Sequence, residues 1–542
     1  MLFVGLIPLA VVEAKKFSVD VSTVVGQAER YSLGYLKDGT EQMHAGGWLA
    51  HHQTVTGATT YRIPFVFASN GRGYHRQFLG KSGVWFRDLR RPENHALALA
   101  GWHTPEGLAR MFELDKGSSE HQLQAEPFGY LNLRDYQIKA VTAIETSIAA
   151  GKRECLVAMA TGTGKTRTVI GLVYRLLKAR RFNRILFLVD RNTLGEQAQN
   201  AFKDFRLEQN RLFTDIYDLK ELADVAPDSA TKVHVATVQG MVNRLYGPDG
   251  RDIPIDRYDC VIVDEAHRGY TLDREMGEGE LQFRSEADYV SSYRRVLDQF
   301  DAVKIALTAT PAQHTTQIFG LPVYTYTYRE AVIDGWLIDH DPPVRFVTAL
   351  AKNGIHFAPG EVVNVYSRSG QVQQQTLPDE LDFEVDHFNR LVITEKFNKV
   401  ICDELAKHLD IYSNEKTLIY CANDTHADMV VFLLKEALER EHGPIHDKTV
   451  MKITGKSDKP SKLIRLYKNE QLPRIAVTVD LLTTGVDVPE ICNLVFMRRV
   501  RSRILYEQML GRATRLCPDI GKESFKIYDA VDLYQALDAV ST

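Results

Sequence analysis

An eight-residue stretch, MATGTGKT at residues 159–166, carries residue types that can hold a triphosphate. It follows a short apolar run and precedes a sequence of helical periodicity, and in that context glycines let backbone N–H groups surround phosphate oxygens. The lysine can reach the phosphates, and the last threonine can bind Mg²⁺. The strict pattern has glycine where Met159 stands, so this stretch is a variant. The predicted nucleotide-binding residues are Thr161, Gly162, Thr163, Gly164, Lys165 and Thr166.

A pair of acidic residues follows a second apolar run roughly a hundred residues later. Asp264 and Glu265 come directly after DCVIV, where a buried strand would end. In nucleoside triphosphatases a carboxylate at this place holds Mg²⁺, and a neighbouring group activates or positions the attacking water. An isolated acidic pair is as easily a solvated turn, but with a phosphate-binding loop it favours ATP hydrolysis. We therefore predict Thr166 and Asp264 as Mg²⁺ ligands and Glu265 as a catalytic residue.

A third group of chemically suited residues lies in YEQMLGRATR, residues 506–515. Arg512 and Arg515 are three apart, so they share one face if the stretch is helical. Arginines that reach a γ-phosphate stabilise the charge of the transition state, with effects of ~10³–10⁵ in rate. The alternative is an exposed helix whose arginines form salt bridges. We predict both arginines as catalytic residues.

The first sixteen residues, MLFVGLIPLAVVEAKK, allow two interpretations. A secretory signal needs a positive charge before its apolar core and a small-residue cleavage site after it. No charge precedes this run and a proline interrupts it, so we favour a buried strand. Glu13 and Lys15 then project from one face of the strand, and Gln27 and Tyr31 share a helix face. A carboxylate can hold Mg²⁺ beside a lysine that orients water, although E-x-K by itself is a frequent chance triplet.

The elements that position these residues follow from short apolar runs that alternate with helical patterns. Such runs indicate strands of parallel sheets, because strands buried on both faces are almost continuously apolar. One series occupies residues 154–310 and another 417–498, whereas the polar residues 353–390 suggest an inserted hairpin or loop. The predicted fold class is therefore α/β, with an α+β domain followed by two parallel α/β domains. The predicted domains are residues 1–125, 126–335 and 336–542.

The bulk composition excludes several classes of protein. A hydrophobic fraction of 44% with 25% charged residues is that of a globular protein, neither disordered nor membrane-spanning. The net charge of −4 excludes a uniformly basic coat for nucleic acid, but residues 497–515 still hold six arginines and one acidic residue. The six cysteines form no C-x-x-C pair, which indicates buried thiols and predicts a cytoplasmic protein.

In their order along the chain, these motifs resemble those of the superfamily 2 helicase and translocase motors, over residues 130–535. LRDYQ is similar to the motif in which a glutamine, here Gln137, contacts adenine. MATGTGKT and DEAH match motifs I and II, LTATPA matches motif III, TTGVDVP motif V and QMLGRATR motif VI. The resemblance implies two RecA-like domains that use ATP and Mg²⁺, with Gly485 and Asp487 at the nucleotide. The DNA contacts that it implies are Arg191, Thr237, Gln239, Thr484, Arg498 and Arg499.

VEAKK followed by QAERY resembles the E-x-K and Q-x-x-x-Y elements of PD-(D/E)-x-K nuclease domains in type I restriction enzyme motor subunits. That family joins such a nuclease, at the N-terminal side, to a superfamily 2 motor. The resemblance implies Glu13 as a metal ligand and catalytic residue, and Lys15, Gln27 and Tyr31 as catalytic residues. Nothing acidic precedes Glu13, although the family has its first acidic ligand on the preceding strand. We therefore expect the chain to begin inside the nuclease domain.

The implied function is that of an ATP-dependent double-stranded DNA translocase and Mg²⁺-dependent endonuclease. Its implied partners are DNA and the modification and specificity subunits, which would supply sequence recognition, with no membrane involved. Two alternatives stay open at this point. One is a DNA-repair or remodelling translocase without nuclease activity, and the other is a structural clamp gated by ATP.

Overall fold

A computed structural model describes most of the chain, and its residues group into two compact units. The first unit comprises Met1–Met159 with Gly164–Thr325, and the second comprises Ala160–Thr163 with Tyr326–Thr542. The described residues are 1–35, 50–54, 57–114, 116–189, 192–221, 227–228, 230–247, 253–266, 286–311, 313–346, 355–357, 362–366, 372–376, 381–383, 395–479, 487–500 and 503–531.

The front of the first unit is a mixed sheet whose described strands run in the order β1-β2-β5-β6-β7. A hairpin with Gly5 at a φ of 61° joins β1 to β2, and glycine adopts this left-handed conformation without steric cost. Strand β2 pairs in parallel with β5, so that Glu13 lies beside Ala68 at the carboxyl end of both strands. The elements are β1 (Leu2–Val4), β2 (Ile7–Ala14), α1 (Val25–Gly34), β3 (Ala50–Thr54), β4 (Gly57–Tyr61), β5 (Phe65–Ser69), β6 (Val84–Asp88), β7 (Leu97–Ala98), α2 (Pro105–Glu113) and α3 (Lys116–Ala125).

A larger sheet follows, with the described strand order β10-β11-β9-β12-β13-β8-β14. Its central strands β11, β9, β12, β13 and β8 pair in parallel and are almost wholly buried, as their apolar sequences predict. The elements are α4 (Asp135–Ala149), β8 (Glu154–Met159), α5 (Lys165–Lys178), β9 (Ile185–Val189), α6 (Asn192–Asp204), β10 (Asp218–Lys220), β11 (Thr231–Thr237), α7 (Val238–Tyr246), β12 (Cys260–Val263), α8 (Glu286–Gln299), β13 (Val303–Thr308), α9 (Gln313–Phe319) and β14 (Pro322–Tyr326).

The second unit contains a sheet with the described strand order β15-β24-β23-β20-β22-β21, and its strands pair in parallel. Two antiparallel pairs, β16 with β19 and β17 with β18, lie in the stretch predicted as an inserted hairpin or loop. The elements are α10 (Tyr328–Ile333), β15 (Val344–Arg345), β16 (Ile355–Phe357), β17 (Val362–Tyr366), β18 (Val372–Thr376), β19 (Leu381–Phe383), α11 (Glu395–His408), β20 (Lys416–Tyr420), α12 (Asp424–His442), β21 (Val450–Lys452), α13 (Pro460–Asn469), β22 (Ile475–Thr478), β23 (Ile491–Phe496), α14 (Arg503–Leu510) and β24 (Lys526–Asp529).

These sheets confirm the predicted α/β class with parallel sheets, and the domain boundaries at 125 and 335 stay a prediction. All six cysteines are free and buried, as predicted from their apolar surroundings. Within the described residues, no helix combines the length and apolar character that crossing a membrane requires.

A buried ionic network joins the front sheet to the larger sheet within the first unit. Nε2 of His103 lies 2.7 Å from Oδ2 of Asp301, and a terminal nitrogen of Arg153 lies 2.5 Å from Oδ1 of the same carboxylate. Beside it, the backbone N–H and hydroxyl of Thr104 both donate to Oδ2 of Asp256, at 2.8 and 2.7 Å. Burial alone would raise the pKa of Asp301, but Arg153 and His103 outweigh it and hold that pKa well below its usual range.

We expect Asp301→Asn to lower the free energy of unfolding by about 3 kcal/mol, because it removes one partner of a buried charged network. The depressed folded-state pKa means that the carboxylate stabilises the fold above about pH 4, the unfolded value, and that this contribution is lost as pH falls further. Urea unfolding at neutral pH and near pH 2, about two units below the unfolded pKa, measures both effects. Glu113→Gln removes an exposed carboxylate from α2 and is the control. Equal stability of the two variants would contradict a structural role for the network.

Candidate functional site

The phosphate-binding stretch forms the turn between β8 and α5. Gly162 and Gly164 have φ angles of 91° and 80°, which a residue with a side chain rarely adopts. A Cβ on Gly164 would also lie 2.8 Å from Nε2 of Gln137. The hydroxyl of Thr163 donates to the carbonyl of Ala160 at 2.7 Å, and this bond closes the turn. The backbone N–H groups at the start of α5 can therefore face a phosphate, as helix N-termini do elsewhere.

Lys165 and the acidic pair meet within the first unit. Nζ of Lys165 lies 3.5 Å from Oε1 of Glu265 and donates to the carbonyl of Met159 at 3.5 Å. The backbone N–H of Glu265 donates to Oδ1 of Asp264 at 2.9 Å, and Glu265 has a φ of 51°. Left-handed φ angles of residues with a side chain are uncommon and cluster at functional sites. The structure thus brings together residues whose sequence positions are about a hundred apart.

Gln137 bridges the start of α4 and the phosphate-binding turn. Its Oε1 accepts from the backbone N–H of Arg134 at 2.9 Å, and its Nε2 donates to the carbonyl of Gly164 at 3.3 Å. Thr168, which is not among the predicted site residues, donates its hydroxyl to the same carbonyl at 3.2 Å. A hydroxyl residue one turn after the phosphate-binding lysine was the signal that could have identified it. Thr166 lies half-buried in the first turn of α5.

The four residues predicted for the front domain form a continuous chain of contacts. Nζ of Lys15 lies 2.5 Å from Oε1 of Glu13 and donates to Oε1 of Gln27 at 2.9 Å. Nε2 of Gln27 then donates to the hydroxyl of Tyr31 at 2.8 Å. The backbone N–H of Lys15 donates to the carbonyl of Ser69, which extends the pairing of β2 with β5 by one residue. The end of strand β2 therefore places Glu13 and Lys15 beside Gln27 and Tyr31 of helix α1.

The prediction that Arg512 and Arg515 share a helix face is wrong. Helix α14 ends at Leu510, and the N–H groups of Arg512 and Ala513 bond to carbonyls three residues back, as in successive turns. Gly511 directly follows the last helical residue, and glycine has a lower helix propensity than any residue except proline. Nε of Arg515 lies 3.3 Å from Oδ1 of Asp487, another predicted nucleotide residue. The catalytic role of both arginines stays a prediction.

The predicted DNA contacts occupy separate places. Thr237 caps α7, because its hydroxyl accepts from the N–H of Gly240 at 3.0 Å, and Nε2 of the exposed Gln239 donates to Oδ1 of Asn243. Arg498 is buried, and Nε of Arg499 donates to the carbonyl of Val531 at 2.9 Å. The other two predicted DNA contacts, Arg191 and Thr484, lie outside the described part of the chain, as does the predicted nucleotide-binding residue Gly485.

Within the described residues, no cluster of three or more His, Cys, Asp or Glu side chains could enclose a metal ion. Mg²⁺ does not need such a cluster, because it is commonly bound through one or two carboxylates together with substrate phosphates. The donor chemistry of Asp264 with Thr166, and of Glu13 at the end of β2, fits this kind of site.

Three family models match successive parts of the chain. Residues 1–112 match the second domain of the type I restriction enzyme EcoKI endonuclease subunit. Residues 130–313 match the res subunit of type III restriction enzymes, and residues 396–517 match the helicase conserved C-terminal domain.

Among curated proteins, the EcoKI endonuclease subunit of Escherichia coli strain K12 is 50% identical over the whole of this chain and 48% of its own length. The EcoAI endonuclease subunit of Escherichia coli is 28% identical over 96% of this chain and 58% of its own length. The chain thus spans about half the length of these relatives.

Among solved structures, the fragment structure of a candidate HsdR subunit from Vibrio vulnificus YJ016 matches with a TM-score of 0.51 and 23% identity. The match covers 98% of this chain and 82% of that one, and it supports the fold. This chain belongs to the family of type I restriction enzyme endonuclease subunits.

Proposed function

We propose that this chain provides the nuclease and motor of a type I restriction enzyme. In this proposal the chain translocates double-stranded DNA at the expense of ATP and cleaves it with a divalent metal, specifically Mg²⁺. Its partners are modification and specificity subunits, and its compartment is the cytoplasm. Residues 1–125 form the nuclease domain, and residues 126–335 and 336–542 form the two RecA-like motor domains.

The observation that carries the proposal is the chain of contacts from Glu13 through Lys15 and Gln27 to Tyr31. This arrangement lies at the end of a sheet separate from that of the phosphate-binding turn. A repair or remodelling translocase would use the turn and the acidic pair but would not need these four residues. The chain therefore has two sets of chemical residues, which a combined motor and nuclease requires.

At the motor site, the proposed role of each residue follows from its position. Gln137 would contact the adenine, and the backbone of the turn with Lys165 would bind the phosphates, while Glu265 would hold the attacking water. Thr166 and Asp264 would hold Mg²⁺, which neutralises phosphate charge when bound. Asp487 and Gly485 would complete the nucleotide site, and Arg512 and Arg515 would stabilise the charge that develops on transfer. The distance of 3.5 Å between Nζ of Lys165 and Oε1 of Glu265 supports these roles, because it places the proposed phosphate-binding and water-binding groups side by side.

At the nuclease site, Glu13 would bind the metal, and Lys15 would orient the attacking water toward a DNA phosphate. Gln27 would hold the Lys15 ammonium in place, and Tyr31 would orient the amide of Gln27. DNA would reach the motor along Thr237, Gln239, Arg498 and Arg499, and along Arg191 and Thr484, mainly by phosphate contacts.

Cleavage of supercoiled plasmid tests the proposal directly. The chain, assembled with modification and specificity subunits, should linearise an unmodified plasmid only when both ATP and Mg²⁺ are present. Plasmid methylated at the recognition site is the control and should stay intact. ATP hydrolysis on unmodified DNA without any cleavage would favour the translocase alternative.

A further inference from the structure

A cavity of about 300 Å³ lies in the first unit, at the edge of the larger sheet opposite the phosphate-binding turn. Its floor is built from segments that immediately precede β8, β9, β12 and β13, including Lys152, Arg184 and Arg257. Because these strands are parallel, their carboxyl ends and the turn after β8 lie at the other edge. The roof comes from the front domain, including Phe86 and Arg110. The cavity is therefore separate from the proposed ATP site and lies between the front sheet with α2 and the larger sheet.

The charged side chains that line this cavity are predominantly basic. Seven arginines and lysines compare with five aspartates and glutamates. Most of the acidic groups already have partners: Asp88 binds Arg90, Asp301 binds Arg153 and His103, Asp256 accepts from Thr104, and Asp259 accepts from the backbone N–H groups of Asn183 and Arg184. These four carboxylates are thus bound to groups other than the side chains of the cavity's cations, with the exception of Arg153.

Several of the cations, by contrast, lack a carboxylate partner. The side chains of Lys152, Arg110 and Arg257 form no ion pair in the part of the chain that the structure describes. The guanidinium of Arg184 is held by backbone carbonyls, of Thr231 at 3.0 Å and of Asp228 at 2.8 Å. Burial lowers the pKa of Arg184, and the nearby Arg257 and Arg110 lower it further. The cavity therefore concentrates positive charge that the protein itself does not neutralise.

Arg181 supplies a buried donor with no acceptor. Its side chain is 7% exposed, and its Nε, which has no hydrogen-bond partner among the described residues, lies 3.7 Å from Oε1 of Glu120. A buried donor of this kind carries a desolvation cost that a bound acceptor relieves. Apolar groups, among them Phe86, Phe182 and Met111, form the rest of the wall. Apolar walls with a few convergent charged groups are typical of small-molecule sites of this volume.

We propose that this cavity binds a small phosphate ester with an apolar or aromatic body, of the class of the nucleoside phosphates. The phosphate would contact Arg181, Arg257 and Arg110, and the body would contact the apolar wall. Since the front sheet with α2 and the larger sheet each supply part of the cavity, the ligand would hold these parts of the unit together. This site is independent of hydrolysis at the phosphate-binding turn.

Binding of AMP to the full chain tests this proposal, in a Lys165→Ala background that disables the turn. Calorimetric titration should detect AMP binding, and AMP should raise the temperature of thermal unfolding, whereas uncharged adenosine should do neither. Arg110→Gln with Arg257→Gln should weaken AMP binding by roughly tenfold to a hundredfold, because charge-assisted hydrogen bonds are lost. Arg465→Gln, an exposed arginine of the second unit, is the matched control. Both target side chains are outside the core, so the double variant is expected to fold.

Three results would overturn the proposal. One is the absence of binding at millimolar AMP, and another is AMP binding that the double variant leaves unchanged. The third is displacement of AMP by a DNA duplex whose own binding the double variant weakens to the same extent. That result would assign the cavity to nucleic acid. Arg181→Met gives a second measure: it should weaken AMP binding without lowering the unfolding temperature of the free protein by as much as Asp301→Asn does.

Discussion

Replacing Lys165 by alanine should reduce DNA-stimulated ATP hydrolysis by about 10²–10³-fold, the loss typical when one preorganised donor to transition-state charge is removed. The ammonium group is nearly buried and lies 3.5 Å from the Glu265 carboxylate, within the site proposed for the phosphates. Translocation, which hydrolysis drives, should be lost in parallel. Phosphate release and the displacement of a DNA-bound probe measure the two activities.

Two comparisons make this experiment specific. Lys139→Ala removes an exposed lysine of α4 in the same unit and should leave hydrolysis unchanged. Glu265→Gln should retain ATP binding while hydrolysis is lost, because it removes the group that faces the water and keeps the phosphate contacts. Normal ATP turnover by the Lys165→Ala protein would contradict the assignment of a motor.

Replacing Lys15 by alanine should reduce DNA cleavage by about 10²–10⁴-fold, the usual effect of losing a group that assists proton transfer. Its Nζ connects the Glu13 carboxylate to the amide of Gln27, so the substitution also frees both partners to move. Glu13→Ala should abolish cleavage with Mg²⁺, because it removes the proposed metal ligand. In both variants ATP hydrolysis and translocation should persist, since these residues lie on a different sheet from the phosphate-binding turn.

Plasmid cleavage and ATP hydrolysis should be measured on the same preparation, assembled with modification and specificity subunits. Lys16→Ala is the closest control, because the next residue along the chain is an exposed lysine outside the contact chain. Loss of both activities in the Lys15→Ala protein would indicate that the front domain is structural. Unchanged cleavage would remove these four residues from the nuclease proposal.

Local sequence spacing was sufficient to predict geometry within a single element or turn. Gln27 and Tyr31 are four residues apart in a helix, so their contact follows from helical pitch. The phosphate-binding turn is likewise set by glycines that adopt positive φ between a strand and a helix. The prediction that Arg512 and Arg515 share a helix face was wrong, because the helix ends at Leu510, before either arginine.

The sequence by itself determined the parallel α/β class, the burial of the cysteines and the residue types at both sites, because apolar periodicity and short motifs are properties of neighbouring residues. Only the tertiary structure decided which distant residues meet. His103 and Asp301 are 198 residues apart and share no pattern that would pair them. The arginine-lined cavity is assembled from segments before four strands of the larger sheet, from the front sheet and from α2. Strand order and domain packing depend on collective burial of apolar surface across the whole unit, so such long-range contacts leave no signal in the spacing of the residues that form them.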